Sequence, residues 1–354
     1  MVKRKKIAIN FFSDYKQAAG LTIYLLNIIK GLNLIDDAQK PELVIICNPG
    51  APVDEIMNIN YPYYEIYLIE YVIDKNILKR AFNKLARTVF KKNVFDTYKL
   101  KDKFPGGIQT IYPYFDSKAI RHIPEKIYWK ADFQEKHYPD FFPESDLKWS
   151  ANFMNNITSG PNVLVLSSND AINDFEKFHP GHKNITRLLK FTSFLPDFNA
   201  VNYDELIKKY SIGKRFFFIA NQFWPHKNHL IVLKAINKIK QELNCIFLFS
   251  GSTSSYRDEN YFPMLQQYIR ENDLEQYVKM LGFIDREEQV KLMSESIGII
   301  QPSLFEGWST VIEDAKALNK LVVASNIKVN IEQIRENVLF FESLNADALA
   351  EIIL

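Results

Sequence analysis

Two stretches of this sequence carry side chains suited to a phosphorylated, hydroxyl-rich ligand. The first is Gln301-Pro302-Ser303-Leu304-Phe305-Glu306-Gly307-Trp308-Ser309-Thr310-Val311-Ile312-Glu313-Asp314-Ala315. An apolar run ends at Pro302, Glu306 and Gly307 fall in a loop, and helical periodicity opens near Ser309 or Thr310. A helix start gathers unsatisfied N–H groups and the positive end of the helix dipole, which suits a phosphate. Gly307 lets the chain approach a ligand closely. Ser309 and Thr310 can cap the helix or donate to phosphate oxygens. Glu306 and Asp314 flank that point and can accept hydrogen bonds from sugar or ribose hydroxyls. The same pattern also fits a capped helix with an acidic first turn that the dipole stabilises.

The second stretch is Ile219-Ala220-Asn221-Gln222-Phe223-Trp224-Pro225-His226-Lys227-Asn228-His229, which reads as a strand end, a loop and a helix start. Lys227 at the lip of a sheet can neutralise a phosphate as a flexible point charge. Alone it is an ordinary helix-start lysine, and it gains meaning only beside the first stretch. A third segment, Tyr128 to Pro139, follows a short apolar run and offers Asp132, suited to orienting an acceptor hydroxyl, with His137 as a weaker candidate. A capping Asp and a surface His explain those two equally well. Gly20, after the first strand and before a helix, can approach a phosphate, although one glycine carries little weight.

Such residues need a scaffold, and the chain alternates short apolar runs with stretches of 3.6-residue periodicity. That rhythm predicts a parallel α/β sheet. Strands are expected at Ile7 to Phe12, Leu43 to Cys47, Tyr64 to Val72, Lys126 to Trp129 and Val163 to Ser167. A helix after Gly20 presents Leu21, Leu25, Ile28, Ile29 and Leu32 on one face. Between Phe191 and Asn202 the pattern breaks around Pro196, which predicts a linker. Domains are therefore expected over residues 1–195 and 203–354. The rhythm restarts with strand Phe216 to Ala220, helix His226 to Leu243, strand Ile246 to Ser250, a helix near Phe262 to Asn272 and strand Val278 to Leu281. Helix Arg286 to Ser294 is expected with Asp285 as N-cap and Glu288 in capping-box position. Further strands are Ile297 to Ile300, Leu321 to Ala324 and Leu339 to Phe341. Ligands of such sheets bind beyond the C-terminal strand ends, so a cleft between two halves is the expected site.

Composition sets the outer limits. At 354 residues, with 47% hydrophobic and 24% charged residues, the chain reads as two folded domains. A net charge of +2 argues against nucleic acid as the main partner. Cys47 and Cys245 have no metal-ligand or redox spacing, so a reducing cytoplasm fits. No stretch has the roughly 18 apolar residues that span a bilayer, and the apolar run after the basic N-terminus is too short for a signal peptide.

The Glu306 segment resembles the signature of family 4 glycosyltransferases and their group 1 relatives, a Glu followed after seven residues by a second Glu. The resemblance is strong over residues 205 to 335 and weak in the N-terminal half. It implies a GT-B fold with two Rossmann-like β/α/β domains, acceptor-binding over residues 1–195 and donor-binding over 203–354. It implies transfer from a nucleotide-diphosphate sugar to a glycan or lipid-linked glycan, with retained configuration and no metal or other cofactor. Glu306 then contacts the donor sugar, the amides of Gly307, Trp308, Ser309 and Thr310 hold the diphosphate, and Lys227 is the phosphate-binding lysine. Asp314 stands where the family has its second Glu, and Glu313 lies one residue earlier, so either is a candidate for the ribose. Gln222 replaces the family's Arg five residues before the lysine, removing one positive charge. Phe283 and Ile284, within Leu281-Gly282-Phe283-Ile284-Asp285, match the element whose backbone borders the base. Gly20 matches a glycine of the family's first loop. The segment Asp132-Phe133-Gln134 resembles a motif of some bacterial members.

From Asp74 to Lys103 the chain is rich in lysine and arginine. Ile77, Leu78, Ala81, Phe82, Leu85 and Val89 form an apolar stripe, giving an amphipathic basic helix. The stripe either packs on the N-terminal sheet or attaches residues 75–103 to the anionic inner face of a cell membrane. Two rivals to a transferase remain open: a nucleotide-sugar or glycan-binding protein without turnover, and another GT-B enzyme such as an epimerase or phosphorylase. Asn345 to Leu354 reads as the beginning of a helix that stops abruptly; the GT-B resemblance implies a C-terminal helix returning across the first lobe, so either a shortened chain or one that lacks that element is expected.

Overall fold

The computed structural model describes residues 4–11, 19–73, 75–90, 98–254 and 257–354. Met1, Val2, Lys3, Phe12, Ser13, Asp14, Asp74, Lys91, Lys92 and Asp96 lie outside the described residues, as do the side chains of Ile77, Arg80, Leu85, Arg87 and Val89. The chain divides into two compact units, Met1–Trp129 and Lys130–Leu354.

The first unit contributes β1 (Lys6–Phe11), β2 (Glu42–Cys47), β3 (Tyr64–Leu68), β4 (Tyr71–Ile73), β5 (Tyr98–Leu100), β6 (Thr110–Tyr112) and β7 (Glu125–Lys130). Parallel strands run in the order β3-β2-β1-β6-β7. Leu43, Val44, Ile45, Ile46 and Cys47 are all buried, as expected of a parallel strand covered on both faces. Helix Ala19–Leu34 covers one face with Tyr24, Leu25, Leu26 and Ile29. The expected third strand, Tyr64 to Val72, is two strands: β3 stays in the sheet, while β4 pairs antiparallel with β5 in a separate ribbon. Strand β6 escaped the periodicity because it has only three residues, between the Gly106-Gly107 turn region and Pro113.

In the second unit β8 (Val163–Leu166) and β9 (Ile185–Leu188) pair in parallel. Six more strands follow: β10 (Phe216–Ala220), β11 (Ile246–Ser250), β12 (Val278–Gly282), β13 (Ile299–Gln301), β14 (Val322–Ser325) and β15 (Val338–Phe341). They form a parallel sheet ordered β12-β11-β10-β13-β14-β15. Alternation feeds two cores, with Phe217, Ile219, Phe247 and Phe249 in one and Phe216, Phe218, Ile246 and Leu248 in the other. From β10 the chain steps outward to β11 and β12, then returns to β13 on the other side of β10. Loops leaving β10 and β13 therefore part in opposite directions, which opens the crevice where α/β sheets take ligands.

Two local expectations need correction. The helix expected from His226 starts at His229 and ends at Ile239, because Pro225–Lys227 form a 3-10 turn and Asn228 adopts a left-handed conformation at φ 55°. Asp285 holds the N-cap position of helix Arg286–Glu295 but makes no side-chain cap bond. Glu288 accepts instead from Lys209 Nζ at 2.7 Å and from the Tyr210 hydroxyl at 2.5 Å, so a tertiary contact replaces the capping box.

Candidate functional site

The loops leaving β10 and β13 bring Lys227 and Glu306 together. Lys227 Nζ lies 2.6 Å from Glu306 Oε1, with side-chain exposures of 18% and 8%. The loops are laced by two further bonds: Leu304 N donates to His226 O at 2.8 Å, and Asn228 Nδ2 to Pro302 O at 3.2 Å. Asn228 Nδ2 also donates to Ser343 O at 2.8 Å, tying the same turn to the chain beyond β15.

Glu306 Oε1 is also the acceptor for Gln301 Nε2 at 2.7 Å and Ser303 Oγ at 2.6 Å. Asn221 Nδ2 donates to Gln301 Oε1 at 3.0 Å, so a buried polar chain runs from the end of β10 through the end of β13 to the carboxylate. Asn221, Gln301 and Ser303 were assigned no role from sequence. The available signal was that each is a polar residue at the end of a fully apolar strand, where burial demands a partner.

Helix Thr310–Ala317 opens as expected, with Ser309 as its N-cap. Ser309 Oγ accepts from Ile312 N at 3.3 Å, while Ser309 N donates to Gln333 Oε1 at 2.9 Å. Of the two roles open to Ser309, capping is the one in place. Gln333 Nε2 also donates to Glu313 Oε1 at 3.0 Å, and Lys316 Nζ lies 2.9 Å from the same oxygen. Thr310 is half-buried, and Gly307 and Trp308 are buried. Trp308 Nε1 donates to Phe191 O at 3.0 Å, fixing the linker to the helix start.

Asp314 has partners within the protein. Its side chain is 2% exposed, and Oδ1 accepts from Arg286 Nη2 at 2.5 Å and from the Ser193 hydroxyl. Both ribose candidates, Glu313 and Asp314, thus have protein partners. Arg286 and Ser193, which hold Asp314, were not singled out in the sequence.

Gly307 brings the third segment in. A Cβ built on it would lie 2.7 Å from Ala131 O and 2.8 Å from Asp132 Oδ2, so glycine permits contact with the chain leaving β7. Asp132 Oδ1 accepts from Gln134 N at 3.0 Å. Burial raises the Asp132 pKa, the Lys130 ammonium opposes this, and the Glu306 carboxylate adds to it. His137 Nε2 is 2.6 Å from Asp174 Oδ2, and its ring centre lies 5.2 Å from that of Phe305, beside Glu306.

The sign of the Asp132 shift gives a stability prediction. A carboxyl pKa raised by folding means that the charged form costs stability, a cost absent at low pH and present above the folded pKa. Asp132→Asn should match wild type in melting temperature near pH 4 and exceed it increasingly towards neutrality. Melting curves across pH check this, and a constant difference would contradict it.

The remaining expected residues are dispersed. Gln222 is half-buried beside Phe223, whose N donates to Ser252 O at 3.1 Å. Phe283 is 59% exposed beyond β12, while Ile284 packs on the core. Gly20 belongs to the first unit, as the second residue of helix Ala19–Leu34, with no atom within 4 Å of a built Cβ. Two histidines flank Lys227. Burial drives the His226 pKa well below its usual value, helped by the Lys227 and Arg257 charges. Burial likewise takes His229 down to about 3, against a backbone hydrogen bond to Asn221 that raises it. Both rings are neutral at physiological pH, leaving Lys227 as the cation of its turn.

Parallel sheets with helices in each unit, and paired polar loops at the switch point of the second, fit the GT-B fold. Residues 202–354 match the family model of glycosyl transferases group 1, and that segment holds Lys227, Glu306 and helix Thr310–Ala317. One curated relative is the O-antigen chain mannosyltransferase RfbU of Salmonella typhimurium, 27% identical over 143 residues, which is 40% of this chain. The alignment spans 38% of that relative's length. Among solved structures, Anabaena Alr3699/HepE in complex with UDP and glucose matches 99% of this chain and 89% of its own, at TM-score 0.65 and 18% identity. Sucrose-phosphate synthase from Thermosynechococcus elongatus matches 98% and 88%, at TM-score 0.64 and 14% identity. These structural likenesses establish the fold.

Proposed function

We propose that this chain is a glycosyltransferase that moves a sugar from a nucleotide-diphosphate sugar to a hydroxyl of a glycan or lipid-linked glycan. The carrying observation is the Lys227–Glu306 pair at the switch point of the β10/β13 sheet, 2.6 Å apart and beside the start of helix Thr310–Ala317. Lys227 supplies charge to the diphosphate, Glu306 takes sugar hydroxyls, and Asp132 orients the acceptor. The bond from the anomeric carbon to phosphate breaks, the acceptor oxygen bonds to that carbon with retained configuration, and the acceptor proton passes to the leaving diphosphate. Alignment of two substrates and stabilisation of the leaving charge are what the protein contributes, without a resident metal. Residues 203–354 bind the donor and residues 1–195 the acceptor. The name of the Salmonella relative favours a mannosyl donor and a polysaccharide acceptor.

Thermal shift against nucleosides, nucleoside diphosphates and nucleotide sugars tests the donor site. A ligand at about 100 times its Kd adds about 2.7 kcal/mol to apparent stability. Diphosphates and nucleotide sugars should raise the melting temperature and free nucleosides should not; no response to any diphosphate rejects the reading. A second reading, nucleotide-sugar binding without turnover, is favoured by the engagement of Asp314 with Arg286 and Ser193. Binding without transfer or hydrolysis would select it.

We also propose peripheral attachment to an anionic cytoplasmic leaflet through residues 75–103. No helix among the described residues is long and apolar enough to cross a membrane. The stripe of helix Ile77–Phe90 does not pack wholly on the sheet: Leu78 is 81% exposed and Phe82 50%, while Asn83 and Ala86 are buried. Tyr71, Ile73 and Tyr98 on the β4/β5 ribbon are exposed as well. Apolar groups among lysines suit insertion beside anionic headgroups, each basic residue contributing about 1 kcal/mol near the surface. Co-sedimentation should rise with phosphatidylserine content and fall for Leu78→Ser with Phe82→Ser. Binding independent of anionic lipid would reject the attachment.

A further inference from the structure

Helix Glu144–Thr158 buries Ser150, Met154 and Ile157 and presents a different face to water. Trp149, Asn152, Phe153 and Asn156 share that face, within about 100° of one another around the helix axis. Trp149 is 60% exposed, and its ring stacks on that of Phe153, the centres 5.2 Å apart and the planes 11° from parallel. Asn152 and Asn156 are exposed beside the two rings, and among the described residues no hydrogen bond engages either side-chain amide. The nearest charges on the helix cancel, with Lys148 Nζ 2.6 Å from Glu144 Oε1.

Stacking holds the indole plane before any ligand arrives, so little rotamer freedom is left to lose on binding. A flat aromatic face flanked by idle amides suits a pyranose, which turns C–H bonds to the ring and hydroxyls to the amides. An anionic leaflet calls for basic residues, and none of the four is basic. A protein interface of ordinary size takes about 800 Å² from each partner, whereas an aromatic side chain supplies at most about 150–250 Å². Two contacts tie this helix to the turn that carries Asp132. Ser150 Oγ, next to Trp149, donates to Glu135 Oε1 at 2.7 Å. Phe142, two residues before the helix, has the Arg257 guanidinium carbon 4.1 Å from its ring centre; Arg257 Nη1 donates to Gln134 Oε1 at 3.3 Å, and Gln134 N to Asp132 Oδ1 at 3.0 Å.

We infer that Trp149, stacked with Phe153 and flanked by Asn152 and Asn156, is a platform for uncharged sugar units of the acceptor glycan beyond the unit that Asp132 orients. The helix rises about 10 Å from Trp149 to Asn156, room for about two linked sugar rings. The acceptor is then a chain of several sugars. The inference rests on the acceptor role proposed for Asp132 only for which end of that chain faces the reacting centre.

The test is calorimetric binding of mannose, glucose and galactose, each as monosaccharide, disaccharide and tetrasaccharide, to wild type, Trp149→Ala, Trp149→Tyr and Asp132→Asn, with UDP and GDP as controls for the donor side. Wild type should bind a tetrasaccharide of at least one of these sugars about tenfold more tightly than its monosaccharide, the scale of one well-placed ring contact. Trp149→Ala should lose that gain, Trp149→Tyr should keep most of it, and both should bind UDP and GDP as wild type does. At so exposed a position Trp149→Ala should melt within about 4 °C of wild type. Equal affinity for short and long sugars in wild type, no binding of any of them, or a length gain that survives in Trp149→Ala overturns the platform. A Trp149→Ala protein that keeps the gain but loses vesicle binding or self-association gives the face to a membrane or a second copy and overturns it too. Loss of the gain in Trp149→Ala, with Asp132→Asn binding every sugar as wild type does, supports the platform and removes Asp132 from the acceptor.

Discussion

Glu306→Ala is expected to lower transfer by about 10²- to 10³-fold, the scale of losing one preorganised polar group at a reacting centre. Its effect on binding should run the other way. In the resting site the Lys227 ammonium lies 2.6 Å from Glu306 Oε1, and a phosphate must compete with that carboxylate. Without the carboxylate, the ammonium is released to the diphosphate, so nucleoside diphosphate affinity should hold or rise. Lys227→Ala should lose both binding and transfer. The alanine at 306 also takes an acceptor from Gln301 and Ser303, which keep only their bond to one another and the one from Asn221, and this should cost about 1–3 kcal/mol of stability. Calorimetry and a transfer assay on the same preparations separate these effects. Parallel losses of binding and rate in Glu306→Ala would show that the carboxylate organises the phosphate site instead of acting on the sugar.

The second large effect concerns backbone. A Cβ at Gly251 would sit 2.1 Å from Asn221 O, 2.6 Å from Asn221 C and 2.9 Å from Gln222 Cα, at φ +155°. No flexible side chain can yield there, because the obstacles are main-chain atoms of the loop leaving β10. Overpacking and an unfavourable dihedral together predict that Gly251→Ala destabilises the protein by about 3–5 kcal/mol. The melting temperature should fall by about 10 °C on a scale of 2–4 °C per kcal/mol. A shift under about 2 °C would mean that the β10 and β11 loops are not held this closely.

The sequence carries the fold wherever a strand is long and wholly apolar. Phe216–Ala220 and Ile246–Ser250 are bounded as periodicity predicts, because parallel strands covered on both faces admit no polar residue until they end. Thr110–Tyr112 was illegible because three residues carry no period, although it lies beside β1. Lys227 and Glu306 could be found because each follows a strand end at a fixed offset, and the topology alone decides that those ends are neighbours. The contacts of Asp314 were not legible in the same way. Its bond from Arg286 depends on how helix Arg286–Glu295 packs against helix Thr310–Ala317, which spacing along the chain does not give. The basic helix is similar: spacing puts Leu78 and Phe82 on one apolar stripe, while the fold exposes them and buries Asn83 and Ala86. Helical spacing tells which residues share a face and is silent about what covers it.

Asn228 links timing to local geometry. Its side-chain amide spans carbonyls of Pro302 and Ser343, so the turn carrying Lys227 gains its last support from a residue 115 positions further along the chain. A ribosome-bound chain that stops before Ser343 has already made both lysine and carboxylate yet lacks this clasp. The geometry of that turn is therefore a long-range property of the sheet, complete only once the segment beyond β15 has docked.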